Sequence, residues 1–429
     1  MVLDERMACH FNIVVEHCYQ TCLFVQPNTL GYKNSIFISP CNAGIHRKRL
    51  SCDKERTVQY LLCSTHRSTS SQSSDQHNAI SSLGIGVIGC GRIGRIHAKT
   101  LAQEAGVKLI GVADPIESVG RQLAEACQTR WYGDYRQMLQ DPQLQAVVIG
   151  SPTSFHAEQL KYVAKAGKDI FCEKPISNDL GVIDDCLQVV EKANVRLFIG
   201  FQRRFDTNFK AIKAQVEDGS IGELRMFHIH SRDPAPPTAE YLANSGGIFL
   251  DMTSHDFDMA RFITGSEIDQ VFVSGNAFDD EAKQANDLDT VIIHLRMKNG
   301  SMGTIDNSRR CSYGYDQRIE VFGSKGSLLG NNISPNQVIW SNDQGLHQSR
   351  PHSFFMDRYE KAYVHIMQAF LEMLRKGMPS PVHGKDGRAP VVAALAAARS
   401  WKENRPIALS EILQKAQRSC SICFVVEVQ

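Results

Sequence analysis

The chain has 429 residues, 42% hydrophobic and 22% charged, with a formal net charge of +1. That is the make-up of a folded globular protein of two or three domains, and no charge excess draws it to nucleic acid or a membrane surface. No apolar run approaches the roughly 18 residues of a membrane span, so the expected partner is a small, roughly neutral ligand.

Residues 1–82 read as an extension, either disordered or a targeting segment. They lack sustained periodicity, hold Cys9, Cys18, Cys22, Cys41, Cys52 and Cys63, and end in the Ser/Thr-rich "CSTHRSTSSQSSDQHNAISS". "HRKRL" and the serines suit an organelle transit segment, whereas Asp4 and Glu5 argue against one. The remaining cysteines are scattered and form no disulfide framework, which points to a reducing, cytoplasmic setting, with an organelle as the alternative if residues 1–82 are a transit segment. Cys420 and Cys423 have no second pair at zinc-finger spacing, and residues 411–429 read as a tail.

From Leu83 strands and helices alternate. "LGIGVIGCGRIGRIHAKTL" is a strand, a glycine turn and a helix start, followed by the strands "VKLIGVAD", "QAVVIGSPT", "KDIFCEKP" and "RLFIGF" with helical stretches between them. This is the pattern of an α/β Rossmann domain, a doubly wound parallel sheet, over residues 83–202. Longer consecutive strands follow: "LRMFHIHSRD", "IDQVFVSGNAF", "DTVIIHLRM", "GSMGTIDNSRR", "YDQRIEVFGSKGSLL" and "QVIWSND". They predict an α+β domain with an open-faced, mostly antiparallel sheet over 203–345. Helices over 346–410 are expected to pack back between the two domains.

Gly89-Cys90-Gly91-Arg92-Ile93-Gly94 fits the G-x-G-x-x-G fingerprint, in which glycines let backbone N–H groups approach a pyrophosphate at a helix N-terminus. Asp114 closes the next strand twenty residues beyond Gly94, where a carboxylate accepts from a ribose 2′-hydroxyl and repels a 2′-phosphate. The expected cofactor is therefore NAD rather than NADP. In "CEKPIS" the residue before proline is pushed to extended geometry, so Lys174 should project from a strand tip into the ligand crevice; the plainer alternative is a surface lysine.

"SGGIFLDMTSHDFDMARFI" concentrates Asp251, His255, Asp256 and Asp258 before an apolar helix pattern. If the run is one helix, Asp251 and His255 share a face. The residues alone admit a metal site, a structural histidine at a helix start, or a proton-transfer site. No further His/Cys cluster stands at ligand spacing, so no metal is expected, and an imidazole with its ordinary pKa near 6.5 suits proton transfer.

These motifs, in their order, resemble the oxidoreductases named for glucose-fructose oxidoreductase and inositol dehydrogenase, the Gfo/Idh/MocA family. The likeness rests on the glycine turn, "SPTSFHAE", "CEKP", "GFQRRFD" and "SGGIFLDMTSHDFDMARF", and runs from about Ile85 to Leu409. "SRDPAPP" and "YGYDQRIEVFGSKG" resemble its inositol 2-dehydrogenase members. The resemblance implies an active site between the two domains, with Lys174, Asp251 and His255 acting on a polyol carbon. It implies Thr153, His156 and Glu173 beside the cofactor with the glycine turn, and Gln202, Arg203 and Tyr315 at the substrate. The implied activity is NAD-dependent oxidation of a ring hydroxyl of myo-inositol, or a related cyclic polyol, to the ketone. His255 would take the proton, Asp251 would orient its ring, and the Lys174 ammonium would stabilise developing charge on oxygen. The alternatives are a dehydrogenase of another sugar, aldose or inositol isomer, or a non-catalytic NAD- or sugar-binding regulator. Relatives of the latter kind can lose the lysine or histidine, and this chain keeps both. An open sheet face further implies a homo-oligomer, a dimer or tetramer.

Overall fold

The computed structural model describes residues 46–52, 56–62 and 82–414. Within the segment expected to be an extension, β1 (His46–Cys52) and β2 (Arg56–Leu62) form an antiparallel hairpin. The rest of that segment, and Cys420 and Cys423, lie outside the described residues.

Residues 82–414 lie within one compact unit. Its first part alternates β3 (Leu83–Ile88), α1 (Arg92–Gln103), β4 (Val107–Ala113), α2 (Glu117–Ala126), β5 (Arg130–Tyr132), α3 (Tyr135–Met138), β6 (Ala146–Ile149), α4 (Thr153–Lys165), β7 (Asp169–Cys172), α5 (Leu180–Ala193) and β8 (Leu197–Ile199). The strands are all parallel in the order β5-β4-β3-β6-β7-β8. The chain reverses direction across the sheet between β3 and β6, and in doubly wound sheets the ligand crevice opens there, beyond the strands' carboxyl ends. Central strands are covered on both faces, so β6 reads as four consecutive apolar residues, all fully buried.

A short 3₁₀ turn (Gln202–Phe205) leads into α6 (Thr207–Glu217) and β9 (Leu224–Arg232). Three helices, α7 (Ala239–Ser245), α8 (Gly247–Asp251) and α9 (Ser254–Thr264), precede β10 (Ile268–Asn276). Then come α10 (Asp280–Gln284), β11 (Thr290–Met297), β12 (Met302–Ser308), β13 (Asp316–Gly323), β14 (Ser327–Gly330) and the hairpin β15 (Ile339–Asn342) with β16 (Gly345–Gln348). The chain closes with α11 (Phe355–Arg358), α12 (Glu360–Lys376), α13 (Gly384–Glu403) and β17 (Ile407–Ala408).

The second sheet runs β14-β13-β9-β12-β11-β10-β17. All its pairings are antiparallel except β9 with β12, a join made by strands 70 residues apart that consecutive hairpins would not produce. Burial alternates along β11 and β13, the mark of a sheet covered on one face only. α13 supplies part of that cover: it lies against β10 and α9, and also against β8 and α5 of the parallel part. It thereby ties the two sheets together around the crevice.

Candidate active site

The glycine turn has the shape a dinucleotide requires. Gly89 has φ +91°, and a Cβ there would stand 2.5 Å from the Ser151 nitrogen. A Cβ on Gly94 would meet the Gly89 carbonyl oxygen at 1.8 Å, so helix α1 can approach the β3 turn only with glycine. Gly91 faces open space instead. It also caps α1 without any side chain bonding the first N–H groups, and no acid stands in the first turn. Those free donors and the helix dipole suit a pyrophosphate. Asp114, at the β4 tip, accepts from the Cys90 N–H (2.8 Å) and the Ile116 N–H (2.9 Å), which fixes its carboxylate beside the turn. The residues present thus fit a dinucleotide. Thr153 opens α4, whose N-cap is Pro152 and likewise lacks a side-chain cap, at the end of the neighbouring strand β6.

Lys174 leaves the tip of β7 through a cis bond to Pro175, and its Nζ donates to the Asp251 carbonyl oxygen at 3.1 Å. A parallel-sheet lysine is thus brought onto the turn that carries Asp251 and His255, 77 residues away. Burial lowers the Lys174 pKa; Asp251 and Glu173 oppose that, while Arg203 adds to it. Burial, then the positive charges of Lys174 and Arg203, hold His255 well below the usual imidazole range. Its ring packs edge-on to Phe201 (6.1 Å), and its Nδ1 is buried without a partner.

Asp251 does not hold that ring. The expected single helix is broken at Met252–Thr253: Asp251 ends α8 and His255 lies in α9. The Asp251 carboxylate accepts instead from the Tyr241 hydroxyl (3.0 Å) and from Arg309 Nη1 (3.0 Å). Asp256 and Asp258 are fully buried and paired with arginines, Asp256 with Arg203 (2.6 Å) and Asp258 with Arg204 (2.6 and 2.8 Å).

Arg203, Tyr315, Gln202 and Glu173, all expected to face ligand, turn inward. Arg203 is buried, donating to Asp256, the Ser231 hydroxyl and the Tyr315 hydroxyl (3.3 Å). Tyr315 is buried as well, with its ring 6.1 Å from Tyr359. Both underlie the site: an arginine in the interior requires a carboxylate, Asp256 is the one it bonds, and of the Arg203 nitrogens only Nε is buried without a partner. Gln202 is buried beside Arg203 in the same 3₁₀ turn. The Glu173 carboxylate lies 2.7 Å from Nε2 of the buried His97. His156 is buried between the carbonyl oxygens of Pro175 (2.7 Å) and Ser151 (2.8 Å), and so ties the lysine's strand tip to the end of β6.

Sequence reasoning missed several contributors. Arg309, almost fully buried, faces both Asp251 and Asp287. Asp233 follows β9, and burial, offset by Arg309 and Arg203, pushes its carboxyl up to about 6. The "SRDPAPP" stretch was a visible signal for Asp233; nothing in "DNSRRC" distinguishes Arg309 from its neighbour Arg310. Among the described residues no three His, Cys, Asp or Glu side chains group to hold a metal ion.

A glycine turn opening a parallel sheet, with a strand-tip lysine brought onto the turn that leads into a histidine's helix, is the arrangement of an NAD-dependent oxidoreductase. Residues 83–201 match the oxidoreductase family model described as an NAD-binding Rossmann fold, and residues 209–329 match the GFO/IDH/MocA C-terminal domain. The chain belongs to the GFO/IDH/MocA oxidoreductase family. It is 44% identical to myo-inositol 2-dehydrogenase of Thermotoga maritima, over 77% of this chain and 99% of that one. It is 42% identical to inositol 2-dehydrogenase of Rhizobium meliloti, over 76% and 98%. Among solved structures, scyllo-inositol dehydrogenase of Lactobacillus casei with bound NAD(H) and scyllo-inositol is 30% identical at a TM-score of 0.70, covering 77% of this chain and 99% of that one.

Proposed function

We propose that this chain oxidises a ring hydroxyl of myo-inositol, or of a closely related cyclic polyol, to the ketone. The observation that carries the reading is the Lys174 Nζ contact with the Asp251 carbonyl, which joins the ammonium to the turn bearing His255. NAD, when bound, supplies the hydride acceptor. Gly89, Gly91 and Gly94, with the N–H groups of Arg92 and Ile93, would hold its pyrophosphate, and Asp114 its ribose; Thr153 would flank it, with His156 fixing the adjoining strand tips from within. A carboxylate at that position favours NAD over NADP.

As the ring C–H is lost as hydride, the O–H proton passes to the His255 imidazole and the C=O bond forms. Burial and the two nearby cations keep His255 unprotonated and ready to accept. Lys174 donates to the reacting oxygen and stabilises its developing negative charge. Asp251, paired with Arg309 and bonded by Tyr241, fixes the turn, and its negative charge opposes the burial that lowers the Lys174 pKa. Arg203, Gln202 and Tyr315 support the substrate side from below.

On the second sheet's open face Met226, Met302 and Phe322 stand in register and exposed, which suits contact with a second copy in a dimer or tetramer. Among the described residues no helix is long and apolar enough to cross a membrane, and Cys90, Cys127, Cys172, Cys186 and Cys311 are free and buried, consistent with a cytoplasmic enzyme. The test is NADH formation by the full chain with a panel of inositol isomers, aldoses and acyclic polyols. Fastest turnover on myo-inositol is expected; reduction only with an aldose would overturn the substrate assignment.

A further inference from the structure

We propose that His97 is a positioning residue for Lys174, acting through the Glu173 carboxylate; this rests on the role given to Lys174 above. His97 stands in α1, directly behind the glycine turn, and is completely buried. Its ring is fixed edge-on between Phe171 (5.0 Å) and Tyr363 (6.0 Å), with Nε2 2.7 Å from Glu173 Oε1. Nδ1 has no partner, so the ring is committed to a single bond, Nε2–H donating to the carboxylate. The carboxylate also lies flat on the Gly200 backbone, where a Cβ would come within 2.8 Å of Oε2. The same residue is held at its peptide, the Glu173 N–H donating to the Ile149 carbonyl (3.0 Å). The residue before Lys174 is therefore pinned at both backbone and side chain, and the side-chain pin comes from the cofactor-binding helix.

The link has an electrostatic consequence. Glu173, Asp251 and Asp233 favour the charged lysine, whereas Arg203 opposes it, and the lysine's charge in turn disfavours protonation of His255. Facing Glu173 itself are His97, Tyr363, Cys172 and Lys174. A carboxylate so enclosed, once deprived of its donor, takes up a proton or swings toward water. Either response removes negative charge from beside Lys174, so the lysine loses its proton at lower pH.

The experiment compares His97→Leu, His97→Gln and Lys174→Ala in the full chain. His97→Leu should lower kcat by ~10- to 100-fold and move the alkaline limb of the kcat profile to lower pH, with the Kd for NAD nearly unchanged. His97→Gln, whose amide N–H can reach Glu173, should restore most of the turnover and return the limb toward its original position. A His97→Leu enzyme with wild-type kcat and pH profile, or a glutamine variant as impaired as the leucine variant at equal Tm, overturns the proposal. Should His97→Leu fail to fold, Glu173→Gln removes the same charge and must shift the same limb; an unmoved limb overturns it. Lys174→Ala separates the two levels: turnover retained there defeats the lysine's assignment, whereas a dead Lys174→Ala beside an unaffected His97→Leu defeats only the role given to His97.

Discussion

Arg203→Met distinguishes an arginine that supports the site from one that binds substrate. In the wild type the guanidinium and the Asp256 carboxylate are 2.6 Å apart with 6% and 0% side-chain exposure, and Asp256 also accepts from Asn307 Nδ2 at 2.9 Å. Removing only the cation strands a buried carboxylate, which costs about 3–5 kcal/mol. Over the roughly 330 residues of the described compact unit, an unfolding entropy of ~2.1 cal/mol/K per residue gives ~0.7 kcal/mol/K. A loss of ~4 kcal/mol therefore lowers Tm by about 6 °C. Arg203→Met/Asp256→Asn, in which no charge is stranded, should recover much of that loss. Thermal melts at neutral pH, run beside steady-state kinetics below the melting range, measure both effects. The KM for the polyol should change by less than about threefold, because the guanidinium is buried and both its Nη groups already bond protein partners. An unchanged Tm with a large rise in KM would show that Arg203 serves the substrate and that the buried pair is dispensable.

Lys174→Ala and His255→Ala should each cost roughly 10²–10⁴ in turnover while leaving NAD binding nearly intact; near-normal kcat in either variant removes that residue from the mechanism. Asp114→Ala should weaken NAD and relax discrimination against NADP, read as the ratio of kcat/KM for the two cofactors; an unaltered ratio means that another residue sets the preference. Asp233, pushed up from 3.8 to about 6 chiefly by burial, binds its proton more tightly in the folded state than in the unfolded chain. Its contribution to stability therefore falls as pH rises from about 4 to about 6, by at most ~1.4 kcal/mol per unit. The Tm of Asp233→Asn relative to wild type should be lowest near pH 4 and rise toward pH 7, and a difference independent of pH contradicts the assignment.

What could be read from the sequence was what local rules dictate. Period-two and helical patterns placed β3, β4, β6 to β13 and β15, though not the three-residue β5 or the break between β13 and β14, and the glycine spacing with Asp114 marked the cofactor turn, because turns, strand tips and helix starts are each set by a few adjacent residues. The pairing of β9 with β12 and the addition of β17 escaped, since those depend on partners 70 or more residues apart. The i, i+4 spacing of Asp251 and His255 suggested one helical face, but the turn at Met252–Thr253 sends the carboxylate to Arg309. Arg203 and Glu173 were expected to face ligand; their partners Asp256 and His97 lie 53 and 76 residues away and carry no local sign of the pairing.

Hydride transfer from a polyol ring carbon is the step that the assigned activity requires. The full chain would be given NAD and myo-inositol bearing deuterium at the carbon to be oxidised, and the reduced cofactor examined by mass spectrometry. One deuterium in each NADH, matched by an equal amount of ketone, is the predicted result. NAD bound without reduction, or NADH formed without the label, would contradict it.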